Sequence, residues 1–397
     1  MMSPNGLASP PVYASHYGLV NAFRGCAALA VVFAHVKIGS SDNTGGTHES
    51  SHVLFPFGYQ AVLVFFVISG YCIAASAQGC IQRGFAFHEF MWRRVKRIYP
   101  PYLLAIAFWA CTRYIKYRVD GEWALDRSAA EWLQNVTLTQ WLSLIWDPIN
   151  NPAANPRLFV AAFWSLCYEE QFYLVMAGLL ALVARYPKAV LHGIIALAII
   201  SIAWGAAFPT RKFGFFIEYW AAFASGSLAY YRLCVLIDAR SRHAIDVSLL
   251  LLCLTSAYLG WGPDADWGPP PSTEDAFVVS WTSVALASGM ALVLIAIRPL
   301  DDTYRSLRSV SVPLAGLAAI SYSLYLTHQY CLAFAGGVAR RVISTLHLPE
   351  RWELNCAGQI LVLLGVATVF WYLCERPFLN TNRSAQQLRD ARSSSPH

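Results

Sequence analysis

Residues 55–77 read FPFGYQAVLVFFVISGYCIAASA, a run without a single charged side chain. About 20 apolar residues make a helix long enough to cross the hydrocarbon core of a bilayer. In lipid, backbone N–H and C=O groups have no water to bond, so such a run folds as a helix. Comparable runs recur along the chain and predict an all-α, polytopic membrane protein with about ten transmembrane helices. The predicted spans are 19–36, 55–77, 99–115, 159–184, 189–208, 214–231, 246–261, 276–297, 311–334 and 355–374.

The composition agrees with a membrane-embedded chain. Of the 397 residues, 56% are apolar and 13% are charged, and the mean hydropathy is +0.43. Soluble domains carry about 25% charged residues. The composition therefore excludes a disordered chain, a nucleic-acid-binding module and an ordinary soluble enzyme. The net charge of +6 does not indicate a nucleic-acid partner, because most of the basic residues fall in predicted loops on one side of the bilayer.

The distribution of Lys and Arg predicts the orientation. Short loops rich in these residues stay on the cytoplasmic side of a membrane. With a cytoplasmic N-terminus, 17 of the 29 Lys and Arg residues fall on the cytoplasmic side, and the densest cluster follows the second span. Both termini are therefore predicted to be cytoplasmic. The predicted organisation is a cytoplasmic N-terminal segment (1–18), a membrane domain (19–379) and a disordered cytoplasmic tail (380–397).

Features outside the spans add little chemistry. The stretch 129–145 is amphipathic, and its residues Trp132 and Trp141 favour a helix lying at the membrane interface. The ten cysteines contain no C-x-x-C pair, so neither a zinc site nor a disulfide framework is predicted. His48 and His52 have a spacing that binds metals only on a helix, and their loop is rich in Gly and Ser. No metal site is predicted.

Two ionisable residues lie within the first predicted span. A charged side chain near the bilayer centre costs roughly 2.5–3.5 kcal/mol on insertion scales, so such residues usually have a function. Arg24 and His35 are eleven residues apart, which on a helix is about 16 Å and a net rotation of about 20°. They are therefore predicted to face the same way, into the bundle or a polar cavity. The alternative is that Arg24 snorkels to one interface and His35 ends the helix at the other.

The fourth predicted span begins with a polar stripe. Ser165, Glu169 and Phe172 recur at helical spacing, whereas Glu170 points about 100° away from Glu169. Glu169 is therefore predicted to face the interior. The alternative is a carboxyl group that only packs helices together.

The ninth predicted span carries a similar stripe. Ser321, Tyr325 and His328 follow the i, i+4, i+7 spacing of one helix face. They form a candidate polar site inside the bundle. The alternative is a polar contact between neighbouring helices through the Ser and Tyr hydroxyl groups.

A basic cluster precedes the third predicted span. Arg93, Arg94, Lys96 and Arg97 place four cations within five residues. Such a cluster can bind the phosphates of a polyphosphate ligand. The alternatives are that it only fixes the orientation or contacts anionic lipid.

Taken in order, these segments resemble the acyltransferase 3 family of integral-membrane carbohydrate O-acyltransferases. The resemblance covers about residues 17–380, nearly the whole chain. The second-span motif of the family usually opens with Gly-Val, where this chain has Gln60-Ala61. The segments that carry the resemblance are Arg24-Gly25 with His35, Phe65-Phe66-Val67-Ile68-Ser69-Gly70, Arg93-Arg94 with Arg97-Ile98, Trp164-Ser165-Leu166 with Glu169, Ser321-Tyr322-Ser323-Leu324-Tyr325-Leu326 with His328, and Glu375-Arg376-Pro377.

The resemblance implies a multi-pass enzyme of the inner (cytoplasmic) membrane. Its expected donor is acetyl-CoA or another acyl-CoA, and its expected acceptor is a carbohydrate or glycosylated molecule, as in O-acetylation of polysaccharides. In this scheme His35 is the general base, with Arg24 and Glu169 as catalytic partners, Glu169 orienting the imidazole or receiving its proton. The expected donor-binding cations are Arg93, Arg94, Lys96 and Arg97. The expected oxyanion or acceptor contacts are Ser69, Ser165, Tyr325 and His328.

A secondary transporter or flippase for a polar solute is the alternative function. Transporters also keep Arg, His and Glu inside the membrane. The chain shows no inverted repeat of the hydropathy pattern, which many transporters have. The sequence therefore favours the acyltransferase.

Overall fold

The computed structural model describes residues 17–41, 50–84, 87–121, 126–149, 154–183, 185–186, 188–208, 211–261, 281–349 and 351–379. Within these ranges the chain is helical and no β-strand forms, which confirms the all-α prediction. Apart from Tyr17 and Gly18, the predicted N-terminal segment and the predicted tail lie outside the described residues. So does His48.

The described ranges contain thirteen α-helices joined by short turns, several of them 3₁₀ or π turns. The helices are α1 (Gly18–Ser41), α2 (Ser50–Gln82), α3 (Phe87–Asp120), α4 (Ala129–Val136), α5 (Trp164–Leu182), α6 (Ala189–Ala207), α7 (Trp220–Tyr230), α8 (Ala239–Trp261), α9 (Trp281–Ala296), α10 (Asp301–Ser306), α11 (Arg308–Thr345), α12 (Trp352–Phe370) and α13 (Arg376–Leu379).

Every predicted span falls on a helix, but fewer helices qualify as membrane spans by length and apolarity. Among the described residues, α1, α2, α6, α8, α11 and α12 qualify, and α9 with α10 forms a seventh candidate that is bent by 48°. The predicted spans at 99–115, 159–184 and 214–231 fall on α3, α5 and α7, which do not. Helix α3 begins with the basic cluster, α5 carries two glutamates, and α7 has only 11 residues. The prediction of ten spans is therefore not confirmed.

Burial separates central from peripheral helices. In an apolar stretch of 18 residues within α2, 61% of the residues are buried inside the protein. In the corresponding stretches of α6 and α8 the buried share is 17%. Helix α1 packs against α2 on one side and against α11 on the other, around cores of Val, Phe, Tyr and Ala side chains. Helices α6 and α8 present Ile, Leu and Tyr side chains outward. An apolar outer surface of this kind suits contact with lipid.

Two glycines allow α2 and α7 to touch along their backbones. A Cβ atom on Gly70 would lie 1.9 Å from the carbonyl oxygen of Phe223, and one on Gly226 would lie 1.7 Å from that of Val67. The Ser227 hydroxyl donates to the Gly70 carbonyl at 3.0 Å. Small residues at helix crossings are the usual means of close packing in membranes. This contact fixes the position of α2, which lines two cavities described below.

A buried aspartate anchors the start of α1. Asp301 is fully buried at the start of α10 and accepts a hydrogen bond from the backbone N–H of Leu19 at 2.9 Å. Its carboxylate also lies 2.6 Å from Arg305 and 3.3 Å from Arg298. These charge-assisted contacts satisfy a free N–H group at the beginning of α1. They fix the position of α1 at Leu19, which lies about one helical turn before Arg24.

The prediction that the stretch 129–145 forms one interfacial helix is wrong. It divides into α4 and a 3₁₀ helix at Gln140–Ile145, with Leu138 between them at a φ of 56°. The cause is Asn135, which is fully buried and bonds outside its own helix. Its amide donates to the Arg157 carbonyl at 2.7 Å and its Oδ1 accepts from Gln140 at 2.9 Å. An unbroken helix would separate these partners.

Candidate active site

A cavity of about 220 Å³ lies between α1, α2, α3, α5 and α11 and is closed at one side by the turn 371–375. We call it the ionic cavity, because three guanidinium groups and two carboxylates line it: Arg24, Arg94, Arg97, Glu169 and Glu375. Of the residues predicted from sequence, it brings together Arg24, Ser69, Arg94, Arg97, Ser165, Glu169 and Tyr325. The cavity therefore joins most of the predicted site.

The helices give the ionic cavity a direction. Its exposed lining residues are Arg97 and Leu379, which mark the opening. Along α2 the lining runs from Ile73 inward to Phe66, and along α11 it runs from Ala318 inward to Tyr325. Seven residues of helix rise about 10 Å. The cavity is thus a pocket about 10 Å deep with charged groups towards its opening and aromatic groups at its end.

Two arginines that line the ionic cavity each have a buried donor without a partner. Arg24 donates from Nη2 to the Ala318 carbonyl at 3.1 Å, and its buried Nε has no partner. The Arg94 side chain is 9% exposed and stacks 5.5 Å from the ring centroids of both Phe90 and Tyr173. Its Nε also has no partner. Buried donors are normally bonded, so both guanidinium groups are held in an incompletely satisfied polar environment beside the cavity.

The carboxylates of the ionic cavity are held by hydroxyl groups. Ser69 donates to Oε1 of Glu169 at 2.8 Å, and Tyr173 donates to the same oxygen. Ser323 donates to Glu375 at 2.6 Å. The Oε2 atom of Glu169 takes no part in these bonds.

Glu170 does not line the ionic cavity. It accepts a hydrogen bond from Tyr99 and contributes to a small void beside α3. Of the two adjacent glutamates, only Glu169 lines the ionic cavity, which is the orientation that helical spacing predicts.

The predicted oxyanion donors are already engaged. Tyr325 donates to the Ala162 carbonyl at 2.5 Å, so the 2.6 Å contact between Ser165 and Tyr325 is donated by Ser165. Ser69 donates to Glu169. A hydroxyl group has one proton to donate. In this arrangement Ser69, Ser165 and Tyr325 have no proton left for an oxyanion, and they shape the end of the cavity instead.

Two histidines lie beyond the end of the ionic cavity. The His35 and His328 rings meet edge to face with centroids 4.9 Å apart, and the Tyr325 ring lies 5.8 Å from His328. Arg24 and His35 both contact α11, as their eleven-residue spacing predicts. His328 is fully buried, whereas His35 is partly exposed.

Backbone carbonyls define the protonation of both rings. Nδ1 of His35 lies 2.9 Å from the Val31 carbonyl, and Nδ1 of His328 lies 2.9 Å from the Tyr325 carbonyl. A carbonyl only accepts, so we assign the proton of each neutral ring to Nδ1. Nε2 of each ring is then an unprotonated acceptor, and that of His328 has no partner. This is the form of imidazole that can take a proton from a hydroxyl group.

The predicted contact between Glu169 and His35 does not form in the described structure. The bonds of Glu169 go to Ser69 and Tyr173, and the bond of His35 goes to Val31. Glu169 lies one turn nearer the opening than Ser165, and the histidines lie beyond Tyr325. The helix rise puts this separation at about 10 Å.

The basic cluster is divided by the structure. Arg94 and Arg97 line the ionic cavity, whereas Arg93 and Lys96 do not. The Lys96 ammonium group lies 4.8 Å from the ring centroid of Trp92 on the exposed face of α3. Residues one turn apart on α3 share a face, so Arg94 and Arg97 point to the same cavity.

Several lining residues were not predicted as site residues from the sequence. They include Cys72, Tyr173, Tyr322 and Glu375. Glu375 is 4% exposed and belongs to a motif that had only marked the end of the membrane domain. Its charge beside an apolar helix was the available signal.

A second pair of ionisable residues, Lys212 and Glu218, lies apart from the ionic cavity. Glu218 accepts from Tyr168 at 2.6 Å and from the backbone N–H of Phe213 at 2.5 Å. Lys212 is 1% exposed, and burial lowers its pKa to about 8 against the opposing effect of Glu218. These bonds connect the turn after α6 to α5 and give Glu218 a structural role.

Comparison with protein families matches residues 18–378 to the acyltransferase 3 family, described as an acyltransferase domain. The chain is also similar to a protein of Shigella phage Sf6 named "O-acetyl transferase", with 24% identity over 352 residues. That alignment covers 84% of this chain and 89% of the phage protein. No solved structure matches the chain.

Proposed function

Because the chain belongs to the acyltransferase 3 family, we propose that it transfers a short acyl group from an acyl-CoA to a hydroxyl group of a carbohydrate or glycosylated acceptor. The observation that carries the proposal is the ionic cavity itself. It has cations at its opening, aromatic groups at its end and a histidine pair just beyond. A donor with a charged head and a thioester at the far end of a flexible arm suits this order of groups.

The donor is placed by the charges of the ionic cavity. Arg97 at the opening and Arg94 inside it receive the phosphates, which arginine binds through a forked pair of donors. The pantetheine arm then runs along the cavity, where Oε2 of Glu169 accepts one of its amide N–H groups. The Arg24 guanidinium group, which lines the same cavity, adds a positive charge that attracts the donor. The thioester reaches the level of Tyr325.

His35 acts as the general base in the proposed reaction. The acceptor hydroxyl approaches its partly exposed ring and gives its proton to Nε2 as the oxygen attacks the thioester carbon. The tetrahedral intermediate collapses, the carbon–sulfur bond breaks, and the protonated His35 returns the proton to the departing thiolate. The products are the O-acyl ester and free CoA. A positioned base of this kind contributes a factor on the order of 10²–10⁴ in rate.

In the proposed reaction, the donor and the acceptor reach the protein from opposite sides of an inner (cytoplasmic) membrane. The opening of the ionic cavity lies beside the basic cluster, which the distribution of Lys and Arg assigns to the cytoplasm. Acyl-CoA is made there. The histidine pair lies towards the opposite face, where a lipid-linked or exported sugar is acylated. The name of the phage relative supports acetyl as the transferred group and oxygen as the acceptor atom.

Release of free thiol tests this function against a transporter or flippase. The purified protein in lipid vesicles, given acetyl-CoA and an extract of cell-surface glycans, is expected to release CoA thiol in proportion to the acetyl groups gained by the glycans. Mass spectrometry of surface glycans from cells with and without the gene identifies the acceptor. A protein that moves a sugar across the vesicle membrane without consuming thioester would contradict the proposal.

The orientation is expected to be cytoplasmic at both termini. A reporter fused after Gln82 should report the cytoplasm, because the basic cluster follows it. A reporter fused after Asp266 should report the opposite side. Finding both on one side would show that the chain crosses the membrane in a different pattern.

Arg97 is expected to act on donor binding. Arg97→Gln removes a charge-assisted bond to a phosphate, worth roughly 1.5–3 kcal/mol, so KM for acetyl-CoA should rise about 10- to 150-fold. The turnover number should change less, because the contact is present before and during the reaction. The matched control is Lys96→Gln, which removes a cation of the same cluster that lies outside the cavity. An unchanged KM for acetyl-CoA in Arg97→Gln, in a protein that is still correctly inserted, would assign the cluster to orientation alone.

A further inference from the structure

The end of the ionic cavity is an aromatic wall. Phe65, Phe66 and Tyr325 line its deepest part, seven residues of helix away from its opening. Under the proposed function, on which this inference rests, the thioester lies at this level. The acyl group attached to it must therefore extend into or against the aromatic wall. The wall is the part of the cavity that meets the variable end of the donor.

A second, larger cavity lies on the other side of α2. It measures about 410 Å³, is lined mainly by apolar and small side chains from α2, α6, α7, α8 and α9, and is called the apolar cavity here. Gly205 contributes open space, because a Cβ atom built on it would meet nothing within 4 Å. Other residues that line it are Leu63, Tyr219, Ala222, Leu259 and Val284, together with Glu218, whose carboxylate is bonded to Tyr168 and to the backbone N–H of Phe213.

Phe66 stands between the two cavities. Its ring lines the ionic cavity, is 3% exposed, and lies 5.3 Å from the Tyr219 ring, which lines the apolar cavity. Leu63, one helical turn before Phe66 on α2, also lines the apolar cavity. Phe65 faces another way, because its ring packs 5.9 Å from Tyr325 on α11. Of the two adjacent phenylalanines, Phe66 is therefore the one on the side of the apolar cavity, and its ring and the Tyr219 ring together separate the two cavities.

We propose that Phe66 sets the acyl-chain length of the donor by closing the ionic cavity against the apolar cavity. An acetyl group fits in front of the Phe66 ring. A longer chain meets the ring, which its neighbours Trp164 and Phe172 hold at 6.1 and 5.4 Å between centroids. Removing the ring extends the donor pocket as far as Tyr219, the aromatic side chain that lines the apolar cavity. The native donor class is therefore short acyl-CoA.

Thiol release from acetyl-, butanoyl- and octanoyl-CoA measures the chain-length preference. In the wild-type protein kcat/KM should fall at least about 10-fold from acetyl to octanoyl, since a single methylene can be discriminated by roughly that factor. Phe66→Ala should raise the octanoyl-to-acetyl ratio of kcat/KM by roughly 10- to 200-fold. Phe65→Ala is the matched control, because it removes the same side chain from the same wall on the side that faces α11, away from the apolar cavity. It should shift the octanoyl-to-acetyl ratio less than Phe66→Ala does.

A double variant tests whether the new space is the apolar cavity. Gly205 lines that cavity on α6, and Gly205→Leu adds a side chain that fills part of it. The substitution should not alter acetyl transfer in the wild-type background. In the Phe66→Ala background it should abolish the gain with octanoyl-CoA and retain acetyl transfer. If Phe66→Ala does not fold, Phe66→Leu, with a smaller loss of packing, should shift the preference towards butanoyl-CoA.

The outcomes separate this inference from the proposed function. Absence of thiol release from every acyl-CoA by the wild-type protein would overturn the proposed function. Thiol release from acetyl-CoA with the same donor order in the Phe66 variants would overturn the inference alone. Equal shifts by Phe65→Ala and Phe66→Ala would overturn it too, as would a gain with octanoyl-CoA that Gly205→Leu does not remove.

Discussion

His35→Ala is expected to lower the rate of acyl transfer by a factor on the order of 10²–10⁴, the usual contribution of a general base. We assign the base to His35 rather than His328, because His35 is half-buried as a residue whereas His328 is fully buried. Its Nδ1 bond to the Val31 carbonyl leaves Nε2 free to take a proton. The measurement is thiol release with the native acceptor, using variants matched for abundance in the membrane.

Donor binding distinguishes loss of the base from loss of the fold. His35 does not line the ionic cavity, so His35→Ala should bind CoA with a Kd within about twofold of the wild-type value, a change smaller than the loss of one hydrogen bond. His35→Gln should fail like His35→Ala, because an amide cannot accept the proton. Retention of more than about a tenth of the wild-type rate would rule out His35 as the base. His328 would then be the better candidate.

Local periodicity predicted much of the fold and the site. Runs of apolar residues located the helices, and helical spacing showed that Arg24 and His35 face one neighbour and that Glu169 rather than Glu170 faces the cavity. These are statements about one helix at a time. The rise and rotation of an α-helix fix them without knowledge of the partner helices.

The relative heights of different helices could not be predicted in this way. The sequence places Glu169 and His35 in two polar stripes, but their contact depends on how α5 slides along α1. In the structure α5 is set by bonds between Ser165 and Tyr325 and between Tyr325 and Ala162, and these keep Glu169 nearer the opening. The break at Leu138 has the same origin, because Asn135 bonds to the distant residue Arg157. Such contacts join residues with no periodic relation.

Whether a helix has the length and apolarity of a membrane span also depends on the helices that surround it. Helix α7 is short and almost wholly buried, and its backbone touches α2 through Gly70 and Gly226. A helix surrounded by protein needs neither the length nor the apolarity of a lipid-facing one. Hydropathy measures exposure to lipid, so it identifies α6 and α8 well and classifies α3, α5 and α7 poorly.

Arg24→Lys is expected to lower kcat/KM for acetyl-CoA by roughly 10- to 150-fold, which corresponds to the loss of one charge-assisted hydrogen bond in a buried site. The guanidinium group donates from Nη2 to the Ala318 carbonyl, and the same rigid planar group lines the ionic cavity, where it is proposed to contact the donor. An ammonium group carries the same charge but cannot make both contacts from one rigid fork. The charge is retained, so the variant isolates geometry from electrostatics. The Kd for CoA should rise by a similar factor.

Arg232→Lys is the matched control for this substitution. Arg232 forms a forked pair with Asp246, with both bonds at 2.9 Å, and does not line the ionic cavity. The control tests whether exchanging a forked arginine for lysine disturbs the protein in general, and it should leave the Kd for CoA unchanged. If Arg24→Lys also leaves the Kd and kcat/KM within about twofold of wild type, a change well below the loss of a charge-assisted bond, Arg24 does not bind the donor. Its contact with Ala318 would then serve only to join α1 to α11.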